Sequence, residues 1–220
     1  HGKDGNSNEA DHYKKFLNDE YRIIGFDYKS QLPWEAEAEF QKYFADIASK
    51  HNEIVLIGNS IGAYFSLISL SENFIKKAMF ISPIVDMENF ILNMMKRAGV
   101  SEEELKLKKV ISTPFGELLS WEYLSYVRNN PITWNVPSSI LYGKNDVITP
   151  FKIISDFANK INADLTVIEN GEHWFHTREQ MIFLDNWFKK FIWQDFKWRM
   201  IEKISEYNWK VVIMFILYYS

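Results

Sequence analysis

Five short apolar runs alternate along the chain with segments of helical periodicity, and this alternation restricts the fold more than any other feature. Each run is continuously apolar and rich in β-branched or aromatic residues, which is typical of parallel strands covered on both faces. We therefore expect an α/β fold with a mostly parallel central sheet and helices on both faces. The predicted strands are 21–26, 54–57, 78–81, 139–142 and 165–168, and the predicted helices are 36–50, 61–70, 150–160 and 178–191.

Size and composition narrow the class of protein. The 220 residues are enough for one domain with a substantial core. The formal net charge of -4 does not favour a nucleic-acid partner, which normally leaves a basic footprint. The absence of cysteine excludes disulfides, thiolate metal sites and a cysteine nucleophile, and it is compatible with the cytoplasm, the location that we expect. The longest apolar run, 211–217, is far shorter than the ~20 residues of a membrane-spanning helix.

Residues 84–134 interrupt the alternation, because they contain no convincing strand. A long insertion that follows a strand in an α/β protein is commonly a lid over the functional site. The alternative is a helical excursion that packs on the sheet and contacts no ligand. Its apolar residues could line an acyl pocket or form the core of the insertion itself, and they include Phe90, Met94, Met95, Leu119 and Tyr123.

The sequence GNSIG, residues 58–62, fits the G-x-S-x-G pattern between a predicted strand and a predicted helix. A serine on such a sharp, strained turn needs small neighbours two residues before and after it, so that its hydroxyl projects above the strand ends. The N–H groups of the following helix point to the same place and favour negative charge there. We therefore predict that Ser60 is a nucleophile, although a structural turn of small residues has the same pattern.

A serine hydroxyl needs a base, and His173 is the best placed of the five histidines. It follows the last predicted strand and a glycine, which puts it at the carboxyl edge of the sheet with Ser60. His176 is the rival, with packing or capping of the next helix as its alternative role. We expect His12 to be exposed at a polar helix start. His51 precedes a strand, so we expect it at the edge of the sheet away from Ser60.

Asp146 is the predicted acid that orients the base. It ends the turn after the strand 139–142, within reach of a histidine at the same sheet edge. Its alternative role is that of a turn or helix-capping aspartate, since Thr149 and Pro150 follow closely. The order Ser60, Asp146, His173 along the chain is the order found in α/β-hydrolases.

Two backbone donors are expected to stabilise an oxyanion. The first is the N–H of Ile61, directly after the nucleophile. The second is placed in the glycine-containing loop HGKDG, residues 1–5, with Lys3 as the candidate. The alternative for this loop is a frayed terminus.

Together, HGKDG, GNSIG, YGKND and GEHWFH resemble the α/β-hydrolase superfamily. ISPIVDMENFI, TPFGELLSWEYLSYVRNNPI and GEHWFHT are similar to small bacterial serine hydrolases of unassigned substrate. The resemblance covers about residues 2–188. It implies the fold, the triad Ser60–Asp146–His173, an esterase-like activity, and neither a cofactor nor a metal. The chain departs from the family in having no strand before HGKDG and in its residues after about 191.

These departures suggest a circular permutation. We divide the chain into a hydrolase domain, 1–191, and a C-terminal extension, 192–220. In the family the missing strand lies between those predicted here at 21–26 and 54–57. The run 211–217 is predicted to take that central position, parallel to both neighbours, with Ser220 near His1 and a mainly helical connection over 193–207. The alternative is an unrelated extension, for example a helix on the surface.

The expected reaction is transfer of an acyl group from a small or medium ester to water, through an acyl-enzyme on Ser60. The expected partner is thus a small acyl substrate, with no nucleic acid and no membrane span, and the sequence predicts no oligomeric state. Two alternatives remain. One is peptide or amide hydrolysis, although no charged cluster suggests a pocket for a substrate terminus. The other is a catalytically silent binding protein of the same fold.

Overall fold

The computed structural model describes residues 10–19, 21–202 and 211–216, and every statement below concerns these residues. The strands are β1 (Tyr21–Gly25), β2 (Glu53–Asn59), β3 (Lys77–Ile81), β4 (Val110–Ser112), β5 (Leu118–Ser120), β6 (Ser138–Gly143), β7 (Asp164–Ile168) and β8 (Val211–Ile216). The helices are α1 (Asp11–Lys14), α2 (Pro33–Ala48), α3 (Ser60–Ser69), α4 (Met87–Ala98), α5 (Glu102–Lys108), α6 (Trp121–Asn129), α7 (Phe151–Lys160) and α8 (Arg178–Glu202).

Six strands form one parallel sheet in the order β1-β8-β2-β3-β6-β7. One face of the sheet packs against apolar side chains of α2, α3, α4 and α7, and the other packs against α1 and α8. The predicted α/β fold with a parallel central sheet is therefore confirmed. The carboxyl ends of all six strands lie at one edge, and the turns that carry Ser60, Asp146 and His173 leave from it.

β8 occupies the position between β1 and β2, parallel to both. Met214, for example, is in register with Ile24 of β1 and Leu56 of β2. The side chains of Ile213 and Met214 are fully buried and belong to the cores on opposite faces of the sheet. The prediction that this run supplies a central strand is confirmed. α8 continues across residue 191, whereas Leu217, Ser220 and His1 lie outside the described residues.

The insertion contains α4, α5, the β4–β5 hairpin and α6, so the expectation that it holds no strand was wrong. The hairpin depends on its turn rather than on an apolar run. Thr113 donates from its N–H to the Glu117 carbonyl and accepts from the Glu117 N–H, while Gly116 has a positive φ of 87°. Arg128 of α6 joins the three helices by binding Glu88 of α4 and Glu102 of α5.

The insertion packs on the main core. Met95 and Leu119 are buried within the main core. Phe90, Met94 and Tyr123 are partly buried and pack against this core. α6 also contacts α2, since the Tyr126 hydroxyl donates to Glu37 at 3.1 Å and the Tyr126 ring lies 5.6 Å from that of Trp34.

Candidate active site

Ser60 stands at the junction of β2 and α3 with a positive φ of 51°, a conformation that non-glycine residues rarely adopt. The turn is tight because small residues meet beneath it: a Cβ on Gly58 would lie 3.0 Å from the Cα of Ala63. The next loop also holds the turn, since the Ile84 N–H donates to the Ser60 carbonyl at 3.2 Å. This is the strand–turn–helix geometry that the sequence predicts for residues 58–62.

The three predicted site residues form one chain of hydrogen bonds. The Oγ of Ser60 lies 2.8 Å from Nε2 of His173, and Nδ1 of His173 lies 2.7 Å from Oδ2 of Asp146. Residues 113 positions apart in sequence thus meet at the carboxyl edge of the sheet. In this arrangement His173 can accept the Ser60 proton at Nε2 while Nδ1 donates to the carboxylate.

Asp146 makes the contacts that both of its predicted roles require. Its Oδ1 accepts from the N–H groups of Ile148 and Thr149, at 2.7 and 3.0 Å, so it caps the turn that follows β6. Its Oδ2 is left for His173, and the side chain has no exposed surface. The turn therefore fixes the carboxylate in the orientation that the histidine requires.

Backbone contacts hold the loops of Asp146 and His173 together. The Asn145 N–H donates to the Gly171 carbonyl at 2.8 Å, and the Lys144 N–H donates to the Ile168 carbonyl at 2.9 Å. Tyr142, at the end of β6, donates from its hydroxyl to the Thr149 carbonyl. Burial, followed by the nearby charge of Asp146, raises the pKa of Tyr142 to about 12, so this phenol stays a donor at neutral pH.

Gln180 binds the loop that carries His173 both before and after that histidine. This residue was not identified from the sequence. Its Oε1 accepts from the N–H groups of His176 and Thr177, and its Nε2 donates to the Asn170 carbonyl at 2.9 Å. The Gln180 N–H also bonds to Oγ1 of Thr177, which completes a capping box at the start of α8. The T-x-x-Q pattern at 177–180 could have revealed the cap, although not the bond to Asn170.

The other histidines lie elsewhere. His176 stacks on Trp174, and its Nδ1 lies 3.0 Å from the Trp174 carbonyl and 3.4 Å from a Glu172 carboxylate oxygen, so it is not joined to Ser60. His51 precedes the amino end of β2. His12 was expected to be exposed, but it is partly buried, because α8 brings Asp185 to 2.8 Å from its Nε2.

One of the two predicted oxyanion donors lies within the described chain. Ile61 is in the first turn of α3, where N–H groups have no carbonyl one turn earlier within the helix. Lys3 lies outside the described residues. Within the same described part of the chain, no group of three or more His, Asp or Glu side chains is placed to bind a metal, and no helix is long and apolar enough to cross a membrane.

Comparison with solved structures finds the same architecture. A structure of Est1E from Butyrivibrio proteoclasticus with bound ferulic acid is 15% identical, with a TM-score of 0.61 over 75% of this chain and 69% of that one. Mouse alpha/beta hydrolase domain-containing protein 10 is 15% identical, with a TM-score of 0.59 over 79% and 71%. The Pyrococcus furiosus esterase Pf2001 is 22% identical, with a TM-score of 0.55 over 87% and 77%.

No protein-family model and no curated protein sequence matches the chain. The structural similarity, together with the sheet order, shows that the chain has the α/β-hydrolase fold.

Proposed function

We propose that the protein is a serine hydrolase that cleaves small or medium acyl esters. The observation that carries this proposal is the continuous hydrogen-bonded chain from Ser60 through His173 to Asp146. It lies at the carboxyl edge of a parallel sheet, where ligands of open α/β sheets bind. Hydrolases and esterases with the same fold provide independent support.

The proposed reaction uses the three side chains in the order in which they are hydrogen-bonded. The Ser60 Oγ attacks the ester carbonyl carbon as its proton moves to Nε2 of His173. Asp146 holds the imidazole in the required tautomer and stabilises its positive charge. The N–H of Ile61 donates to the oxyanion of the tetrahedral intermediate. When the carbon–oxygen bond to the alcohol breaks, His173 gives that alcohol its proton and the acyl group remains on Ser60.

Hydrolysis of the acyl-enzyme repeats these steps with water. His173 accepts a proton from the water as its oxygen forms a bond to the acyl carbon. The bond to Ser60 then breaks, Ser60 recovers a proton from His173, and the carboxylic acid leaves. All groups used are side chains or backbone of this chain, so the proposed reaction needs no cofactor.

We also propose that the insertion α4–α6 covers the acyl side of the site. Two observations support this: apolar side chains of the insertion share one core cluster with those of α3, and the Tyr126 ring packs against Trp34 of α2. Such a surface suits an acyl chain.

A fluorophosphonate probe tests the proposal directly, because it reacts with activated serines. Folded wild-type protein should form one adduct, located at Ser60 by peptide mass spectrometry, and should hydrolyse p-nitrophenyl acetate or butyrate. Ser60→Ala should do neither, while its thermal midpoint stays close to that of the wild type. A folded wild-type protein that forms no adduct would favour a catalytically silent protein, and turnover by pure Ser60→Ala would exclude Ser60 as the nucleophile.

A further inference from the structure

Two tyrosine hydroxyls, one on α3 and one on α6, are buried without a hydrogen-bond partner among the described residues. They belong to Tyr64 of α3 and Tyr123 of α6. Burying a hydroxyl without a partner costs free energy, and each such group in a folded protein calls for an explanation. A neighbouring tyrosine on α6 is satisfied, since Tyr126 donates to Glu37. The pair is therefore an exception within its own surroundings.

Tyr64 lies close to the reacting serine. It is four residues after Ser60 on α3, about one helical turn away, with a rise of about 6 Å between their Cα atoms. Long side chains on a helix lean toward its N-terminus, which directs the Tyr64 ring back toward the turn of Ser60. A group that reaches the Tyr64 hydroxyl could thus belong to an acyl chain bound to Ser60.

The surroundings of the pair are aromatic. The Trp34 ring of α2 lies 6.4 Å from the ring of Tyr123, and the Tyr28 ring packs edge-on against Phe65 at 5.7 Å. Aromatic walls with a few fixed polar groups are typical of sites that bind an aromatic ligand in one orientation.

The hydroxyls remain neutral donors over the physiological pH range. Burial raises the pKa of Tyr64, with a smaller contribution from Tyr126. Burial also raises the pKa of Tyr123, and smaller contributions come from Tyr64, Tyr28 and Tyr126. Glu37 of α2 accepts from Tyr126, and its carboxylate disfavours an anionic ligand at the cluster. Two neutral phenols near a carboxylate therefore favour a neutral oxygen atom as their hydrogen-bond partner.

We propose that Tyr64 and Tyr123 recognise a neutral oxygen atom at the far end of the acyl group, on an aromatic ring. The substrate class is then an ester of an arylalkanoic acid that carries a hydroxyl, ether or carbonyl oxygen on its ring. This specificity rests on the proposed hydrolase function. Since both oxygens are covered in the structure, binding of the ring displaces side chains of α6 outward.

A matched pair of esters tests the assignment: p-nitrophenyl 3-phenylpropanoate and p-nitrophenyl 3-(4-hydroxyphenyl)propanoate. Wild-type protein should hydrolyse the hydroxylated ester with a kcat/KM about 3- to 10-fold higher, the size of effect expected from one or two neutral hydrogen bonds. Tyr64→Phe and Tyr123→Phe should each bring this ratio toward one. Tyr126→Phe, whose hydroxyl is already bonded to Glu37, is the matched control and should keep the wild-type ratio.

Thermal unfolding gives a readout independent of catalysis. Tyr64→Phe and Tyr123→Phe lose no hydrogen bond and should not lower the thermal midpoint, whereas Tyr126→Phe should lower it.

Equal rates on the two esters, or an undiminished ratio in both variants, would overturn the assignment and leave the hydrolase proposal standing. If neither ester is cleaved and Ser60 is not labelled, the hydrolase proposal fails. In that case the binding of two amides tests the site on its own. A preference for 3-(4-hydroxyphenyl)propanamide over 3-phenylpropanamide that is lost in Tyr64→Phe would support the site. Equal binding of the two amides would overturn it.

Discussion

Gly143 and Gly171 are in such close contact that neither can carry a side chain. A Cβ on Gly143 would lie 2.5 Å from the carbonyl carbon of Gly171 and 2.3 Å from the carbonyl oxygen of Glu172. Gly143 ends β6, three residues before Asp146, and Gly171 comes two residues before His173. The absence of both side chains allows the loops that carry the proposed acid and base to approach each other.

Gly143→Ala should therefore reduce activity more than an ordinary glycine substitution. The new methyl group must push the loop of residues 169–173 away, and a displacement of about 1 Å at a reacting group can cost ~10²-fold in rate. We expect kcat for p-nitrophenyl butyrate to fall at least ~10-fold. Gly116→Ala is the control: it strains a positive φ in the β4–β5 turn, with no atom within 4 Å of the new Cβ, and should lower stability but not kcat.

His173→Gln should lower kcat by ~10⁴-fold or more, because Ser60 loses its base. His176→Gln should keep activity within a few-fold of the wild type, since the His176 ring stacks on Trp174 and makes no contact with Ser60. Steady-state hydrolysis of p-nitrophenyl butyrate by both purified variants measures the difference. The reverse ranking would show that His176 is the base.

Gln180 is expected to act as a positioning residue for His173. Gln180→Ala removes the bonds to His176, Thr177 and Asn170, and kcat should fall ~10- to 100-fold with little change in KM. Gln180→Glu keeps an acceptor for both N–H groups but cannot donate to Asn170, and its kcat should be intermediate. The assay is run below the unfolding range of each variant. A loss of stability with unchanged kcat would limit Gln180 to a structural role.

β8 should be indispensable for the folded sheet, because it pairs on both sides. Met214→Asp places a carboxylate at a fully buried position and should cost more than ~4 kcal/mol, measured by chemical denaturation. Leu107→Asp, at a side chain that is 82% exposed, is the matched control and should change stability by less than ~0.5 kcal/mol. Deletion of residues 210–220 should leave insoluble or molten protein without esterase activity. A cooperatively folding, active truncation would contradict this role.

Alkaline pH should destabilise the protein through Tyr64. Its pKa is raised in the folded protein above the value of about 10 in an unfolded chain. Above pH 10 the unfolded state thus releases a proton that the folded state keeps, and stability falls as pH rises. Tyr64→Phe should make the slope of unfolding free energy against pH shallower by up to ~1.4 kcal/mol per pH unit above pH 10. An unchanged slope in denaturation at pH 10–11 would contradict the raised pKa.

Local patterns in the sequence were sufficient to predict most of the fold. Continuous apolar runs identified the six strands of the sheet, because burial on both faces requires them. The β4–β5 hairpin was missed since each strand has only three residues and its pairing depends on the bonds between Thr113 and Glu117. The position of β8 was predicted from the family's strand order combined with its apolar run.

For the site, the sequence alone determined which residues stand at the carboxyl ends of strands, and hence that Ser60, Asp146 and His173 could meet. Strand direction and turn chemistry are local properties, so they can be inferred from neighbouring residues. Only the tertiary structure decided the contacts between distant segments: Gly143 against Gly171, Gln180 against Asn170, and Tyr64 near Tyr123 without a bond. These contacts depend on how separate loops and helices pack, and packing at ångström precision is set by the whole core rather than by any one stretch of chain.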